Sequence, residues 1–236
     1  MNNRIVEIID LKLELLLKGI KVEDSALSGV GTEYREEIHW LFEWDKAEHD
    51  RLSPAELIFE NDMIVQIYEN DDSKYSIKKE NNHLILSKDN IELDFNVRYP
   101  KRPKLFSQKT SDGIPFQQIA AFRGVDCLSM SFSLYCKFWD TNQQCQFCNI
   151  STTKKMSEQK IMKQARWISE AISQAYMNGE INHFIITGGT FDNEVNWVKA
   201  IFDEIKKKTN KEYFPGSNCT ITAPRTLDEL KILSEL

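Results

Sequence analysis

Residues 136–148 read CKFWDTNQQCQFC, so Cys136, Cys145 and Cys148 stand eight and then two residues apart, with Phe147 directly before the last thiol. Thiols at this spacing have three uses. Cys145 and Cys148 match half of a zinc site, which Cys127 and Cys136 would complete as four tetrahedral thiolates. The same pair has the spacing of a redox dithiol, but that chemistry wants a helix N-terminus or a basic neighbour to lower the first pKa, and Gln144-Cys145-Gln146 offers neither. Three thiolates alone can hold a [4Fe–4S] cluster and leave one iron open to a chelating ligand. The four-thiolate site carries a topological cost. Cys127 falls on a predicted strand nine residues before Cys136, which is roughly 30 Å away along an extended chain.

Composition narrows the setting. Five cysteines, four of them between Cys127 and Cys148, suit metal ligation or catalysis in a reducing compartment better than a disulfide framework. With 36 acidic against 30 basic residues and a net charge of −6, the chain has no electrostatic footprint for nucleic acid. It has no apolar run long enough to span a bilayer, and its first residues, MNNRIVEIID, lack the layout of a secretion signal. A cytoplasmic protein with no nucleic-acid or membrane partner is expected.

The elements that must position the thiols follow from periodicity. Ile5, Ile8, Ile9, Leu13, Leu16 and Leu17 recur at helical spacing over residues 3–18, and Gly19 supplies the C-cap. From Met63 to Val97 the period drops to two, with turn-prone NDD, ENN and KDN clusters, which predicts an antiparallel meander. Residues 25–53 mix both patterns and receive no assignment. Three prolines and a glycine between Tyr99 and Pro115 predict an extended connection. The expected domains are therefore 1–103, an α+β unit of helix and antiparallel strands, 104–124, a connection, and 125–236.

Beyond the connection, strand and helix alternate. Strands are predicted at 125–134, 183–187 and 219–222. Helical faces run through Ile161, Ala165, Ile168, Ile172 and Ala175, closed by Gly179, and through Val195, Val198, Phe202 and Ile205. Thr226 with Glu229 three residues on marks a third helix by its capping-box pattern. Such alternation predicts a parallel sheet. Cys127 is expected to be buried in its strand rather than a ligand, Cys219 to face the core rather than a barrel lumen, and His39, His49, His83 and His183 show no ligand spacing.

The cysteine loop after the first of these strands resembles that of the radical SAM enzymes, whose usual spacing is Cys-x3-Cys-x2-Cys with an aromatic before the last cysteine. Here the first gap is widened to eight residues. At the end of the next strand, Gly188-Gly189-Thr190 resembles that family's Gly-Gly-Glu segment, with Thr190 in place of the acid. The passage from Lys104 to Ile150 is similar, more narrowly, to the radical SAM proteins of nitrilase-associated gene clusters.

The resemblance implies a partial (β/α) barrel of radical SAM type, with about three βα units present. Cys136, Cys145 and Cys148 would bind the [4Fe–4S] cluster; Phe147, Gly188, Gly189 and Thr190 would bind S-adenosylmethionine. It implies reductive cleavage to a 5′-deoxyadenosyl radical acting on an unknown small-molecule substrate, with an electron donor such as flavodoxin or ferredoxin. Because that family's barrels usually have six units, a fragment is expected, or a second polypeptide supplying the remaining strands. The reading outside the family is a non-catalytic zinc-binding protein whose cysteines form a structural site.

Overall fold

The computed structural model describes residues 3–36, 52–150 and 160–236. The fold is mixed α/β, and the chain parts into two compact units between Arg102 and Pro103. Much of the unassigned stretch, residues 37–51, lies outside the described residues, as do His39 and His49.

In the first unit, α1 (Asn3–Lys18) ends at Gly19, whose φ of +70° is a left-handed C-cap that a side chain would obstruct. Its buried stripe is Ile8, Leu11 and Leu15, spaced three and four apart. Of the apolar residues expected to define the face, only Ile8 is in the core; Ile5, Ile9, Leu13, Leu16 and Leu17 are exposed. Apolar residues cover more than one side of this helix, so periodicity alone could not tell which side packs.

The strands are β1 (Lys21–Val22), β2 (Glu56–Phe59), β3 (Ile64–Gln66), β4 (Tyr75–Glu80), β5 (His83–Lys88), β6 (Ile91–Glu92) and β7 (Val97–Arg98). β4, β5 and β6 form a true meander. Its two turns place Asn81–Asn82 and Asp89–Asn90 at positive φ, the two-residue geometry that asparagine and aspartate tolerate and that matches strand twist. The expected meander breaks there. β7 returns between β5 and β2, pairing Val97 with both Leu84 and Phe59, and β1 lies parallel to β4. Ile77, Leu86, Tyr75 and Leu57 fill the core beneath α1.

The second unit contains a sheet in the order β11-β10-β9-β8. Its strands are β8 (Ala121–Arg123), β9 (Cys127–Ser131), β10 (His183–Thr187) and β11 (Asn218–Cys219). The stretch expected as a connection is instead part of this unit. Leu105, Phe106, Phe116 and Ile119 are buried, and β8 pairs antiparallel with β9. Rather than forming an extended linker, the prolines at 103 and 115 stand just before short 3-10 turns, and each proline's carbonyl accepts a turn N–H.

β9, β10 and β11 are parallel, and α2 (Ala165–Met177), α3 (Glu194–Thr209) and α4 (Leu227–Ser234) follow them in turn. Leu128, Met130, Phe184 and Ile186 form one apolar face of the sheet, each at most 2% exposed. The opposite face, Ser129, Ser131, Ile185 and Thr187, is half-buried. Ile161, expected on α2, lies before it and pairs with Leu134 instead. Among the described residues no helix is long and apolar enough to cross a membrane.

Candidate functional site

Past β9 the chain runs through Phe132, Ser133 and Leu134 to Cys136. Residues 161–163 hold this stretch from the side: the Leu134 N–H donates to the Ile161 carbonyl at 2.7 Å and the Lys163 N–H to the Phe132 carbonyl at 3.0 Å. Ser133 is fully buried, and its Oγ donates to the Tyr135 carbonyl at 2.7 Å while accepting the Tyr135 N–H at 3.0 Å. This local loop of bonds bends the chain. Cys136 then precedes a single helical turn, Lys137–Asp140.

The segment after β10 lies directly against that bend. A Cβ on Gly188 would meet the Phe132 ring and the Ser133 nitrogen at 2.9 Å; one on Gly189 would meet the Tyr135 carbonyl oxygen at 2.1 Å and Cys136 Cβ at 2.7 Å. The resemblance implies that S-adenosylmethionine binds at this segment. In this structure the space that the missing side chains leave is taken by the cysteine-bearing chain itself.

Hydrogen bonds complete the contact. The Gly189 N–H donates to the Ser133 carbonyl and the Lys137 N–H to the Thr190 carbonyl, each at 2.9 Å. Lys137 Nζ reaches Asp192 at 2.5 Å. Phe132 stacks edge-on to Phe191 and tilts against Trp197, fixing the start of α3 to the end of β9.

The third strand joins through side chains. Thr190 Oγ1 and Thr222 Oγ1 are 2.8 Å apart, and Glu194, the first residue of α3, accepts the Phe191 N–H at 3.0 Å and the Thr222 N–H at 3.2 Å. Sequence reading missed Ser133, Lys163, Asp192, Glu194 and Thr222. None carried a capping signal in the sequence: Glu194 is the first residue of α3, not the third, and Phe191 has no side chain that caps a helix.

Cys145 and Cys148 lie further along the loop, in a turn closed by the Cys148 N–H donating to the Cys145 carbonyl at 3.0 Å. None of the five cysteines is in a disulfide; Cys145 is exposed, Cys136, Cys148 and Cys219 are half-buried, and Phe147 is 91% exposed. The structure thus brings Cys136 to Gly188–Thr190 but leaves Phe147 in solvent. Among the described residues no three Cys, His, Asp or Glu side chains converge at metal-ligand spacing. The donor chemistry, three free thiols on one loop at the carboxyl ends of parallel strands, fits a thiolate-bound metal. The converged geometry is not present in this arrangement of residues 137–148.

Two cysteines stand apart. Cys127 is 6% exposed on β9. Cys219 is in register with Ile186, so it shares the helix-covered side of the sheet, and burial followed by the charge of Glu194 pushes its thiol up to about 12. Lys163 is 2% exposed, donates from Nζ to the Ser131 carbonyl, and is pushed down to about 7 by burial.

No protein-family model, curated protein or solved structure matches this chain.

Proposed function

We propose that the second unit is a partial radical SAM barrel in which Cys136, Cys145 and Cys148 hold a [4Fe–4S] cluster and Gly188–Thr190 receive the methionine end of S-adenosylmethionine. The observation that carries this reading is the contact of Gly189 with Tyr135 and Cys136, which joins the cysteine loop and the glycine segment at the carboxyl ends of two adjacent parallel strands. Ligands of α/β sheets bind at that end. Their order along the chain supports the same reading: strand, cysteine loop, helix, strand, glycines.

The protein's own contribution is binding and orientation. Ser133 sets the bend that presents Cys136, and the Lys137 bonds to Thr190 and Asp192 keep the start of the loop beside the glycines. Cys127 and Cys219 remain outside the ligand set, which leaves three thiolates and an open iron. When bound, the cluster would supply the one electron for reductive cleavage of S-adenosylmethionine to methionine and a 5′-deoxyadenosyl radical. A small-molecule substrate would find hydroxyl partners on the half-buried face bearing Ser129, Ser131 and Thr187. A flavodoxin- or ferredoxin-type donor would supply electrons.

The test is metal content and EPR of the anaerobically reconstituted, dithionite-reduced protein, before and after adding S-adenosylmethionine. About four irons and a signal that changes on addition are expected. Stoichiometric zinc without iron would replace this reading with a structural zinc site.

A further inference from the structure

We infer that Glu194 is a positioning residue which ties the loops after β10 and β11 together and, through Thr190, holds the Gly188–Thr190 segment against the Cys136 turn. Glu194 is 6% exposed, and its two carboxylate oxygens are divided between two loops: Oε1 takes the Phe191 N–H at 3.0 Å and Oε2 the Thr222 N–H at 3.2 Å. Burying a carboxylate is costly unless its oxygens are hydrogen-bonded, so this group repays its burial only while both loops stay in place. Its position at the first residue of α3 adds the positive end of the helix dipole.

From Thr222 the connection continues. The Thr222 hydroxyl meets the Thr190 hydroxyl at 2.8 Å, and the Thr190 carbonyl accepts the Lys137 N–H at 2.9 Å. Glu194 is therefore linked to the residue after Cys136 by an unbroken sequence of hydrogen bonds crossing three strand ends. Asn193, at φ +68°, turns the chain so that Glu194 enters the helix with its carboxylate folded back toward Phe191. Neither bond caps α3, whose N-cap is Asn193: Phe191 precedes the helix and donates from the loop after β10. The bond to Thr222 has no capping purpose, since Thr222 belongs to the loop of another strand.

The consequence for the loops stands on this geometry, whereas the consequence for S-adenosylmethionine rests on the function proposed above. Amide hydrogen exchange on the metal-free chain tests the first. Glu194→Gln preserves shape but places an NH2 group against one of the two N–H donors. It is expected to accelerate exchange about tenfold at Phe191 and Thr222 and also at Gly189 and Lys137, with the middle of α3 unchanged. Thr222→Val keeps the backbone bond to Glu194 and removes only the hydroxyl; it should accelerate Gly189 and Lys137 while Phe191 stays slow. Wild-type exchange at Gly189 and Lys137 in Thr222→Val would overturn the inference, whether or not Glu194→Gln folds.

In the reconstituted protein, Glu194→Gln is expected to weaken S-adenosylmethionine binding about tenfold with iron content unchanged. Unaltered affinity in a variant whose loops have loosened would overturn the positioning role. A wild-type chain that holds no iron would overturn the proposed function instead, and the exchange data would still decide for or against the tie.

Discussion

A Cβ atom on Gly189 would stand 2.1 Å from the carbonyl oxygen of Tyr135, a separation at which backbone has to move. Gly188 faces a gentler conflict, 2.9 Å from the Phe132 ring and the Ser133 nitrogen. Gly189→Ala is therefore expected to destabilise the second unit by about 3 kcal/mol and Gly188→Ala by about 1–2 kcal/mol. Urea unfolding of both variants measures this. Equal stability of Gly189→Ala and the wild type would show that the two segments separate freely.

That contact marks where the sequence stops being readable. The strand at His183–Thr187 was legible to the residue, because a short β-branched run between polar flanks has one natural reading. The third helix was also legible: Thr226 Oγ1 accepts the Glu229 N–H at 3.1 Å, although the Glu229 carboxylate returns to the Arg225 N–H and not to that of Thr226. β8 was not, since three residues after a proline-rich stretch carry no period, and their pairing with β9 is a long-range choice. Likewise Thr222 carries no signal that it meets Thr190, because only the parallel register of β10 and β11 brings them together. Residue types named the candidate chemistry; pairing decided which of those residues touch.

Thiol reactivity should follow the positions of the cysteines. Cys145 is exposed, Cys136, Cys148 and Cys219 are half-buried, Cys127 is buried, and burial with the charge of Glu194 pushes the Cys219 thiol up to about 12. Alkylation of the metal-free native chain at pH 8, followed by mass spectrometry, is expected to modify Cys145 first, Cys136 and Cys148 next, Cys219 more slowly because little of its thiol is ionised, and Cys127 only on unfolding. Early labelling of Cys219 would contradict its place on the helix-covered side of the sheet. If the proposed cluster forms, reconstitution should protect the first three together.

Lys163 sets a dependence on alkaline pH. Burial holds its amine near 7, whereas an unfolded lysine titrates near about 10.4. Between those values the unfolded chain binds more protons, so this residue makes stability rise with pH from about 7 to about 10. Below that window the folded state carries the full cost of a buried charge. Lys163→Met removes the titration, so the wild type should gain on the variant as pH rises from 7 to 10, read as the difference in Tm. A difference that stays flat across that range would place the amine in water.

Glu14 sets the opposite dependence in the first unit. The Tyr75 hydroxyl, which donates to its carboxylate, and then Lys18, at 3.1 Å, hold its carboxyl down at about 2. A carboxyl lowered by folding stabilises the folded state above its unfolded pKa of about 4.3, and that contribution disappears as pH falls through the folded value. Tyr75→Phe keeps the buried ring and deletes only the hydroxyl, which isolates the bond from the packing. The Tm advantage of the wild type over Tyr75→Phe should be constant above about pH 5 and shrink as the pH falls from about 4 toward 2. Should the advantage persist unchanged at pH 2, the bond to Glu14 is not its source, and the hydroxyl stabilises α1 on the sheet by another partner.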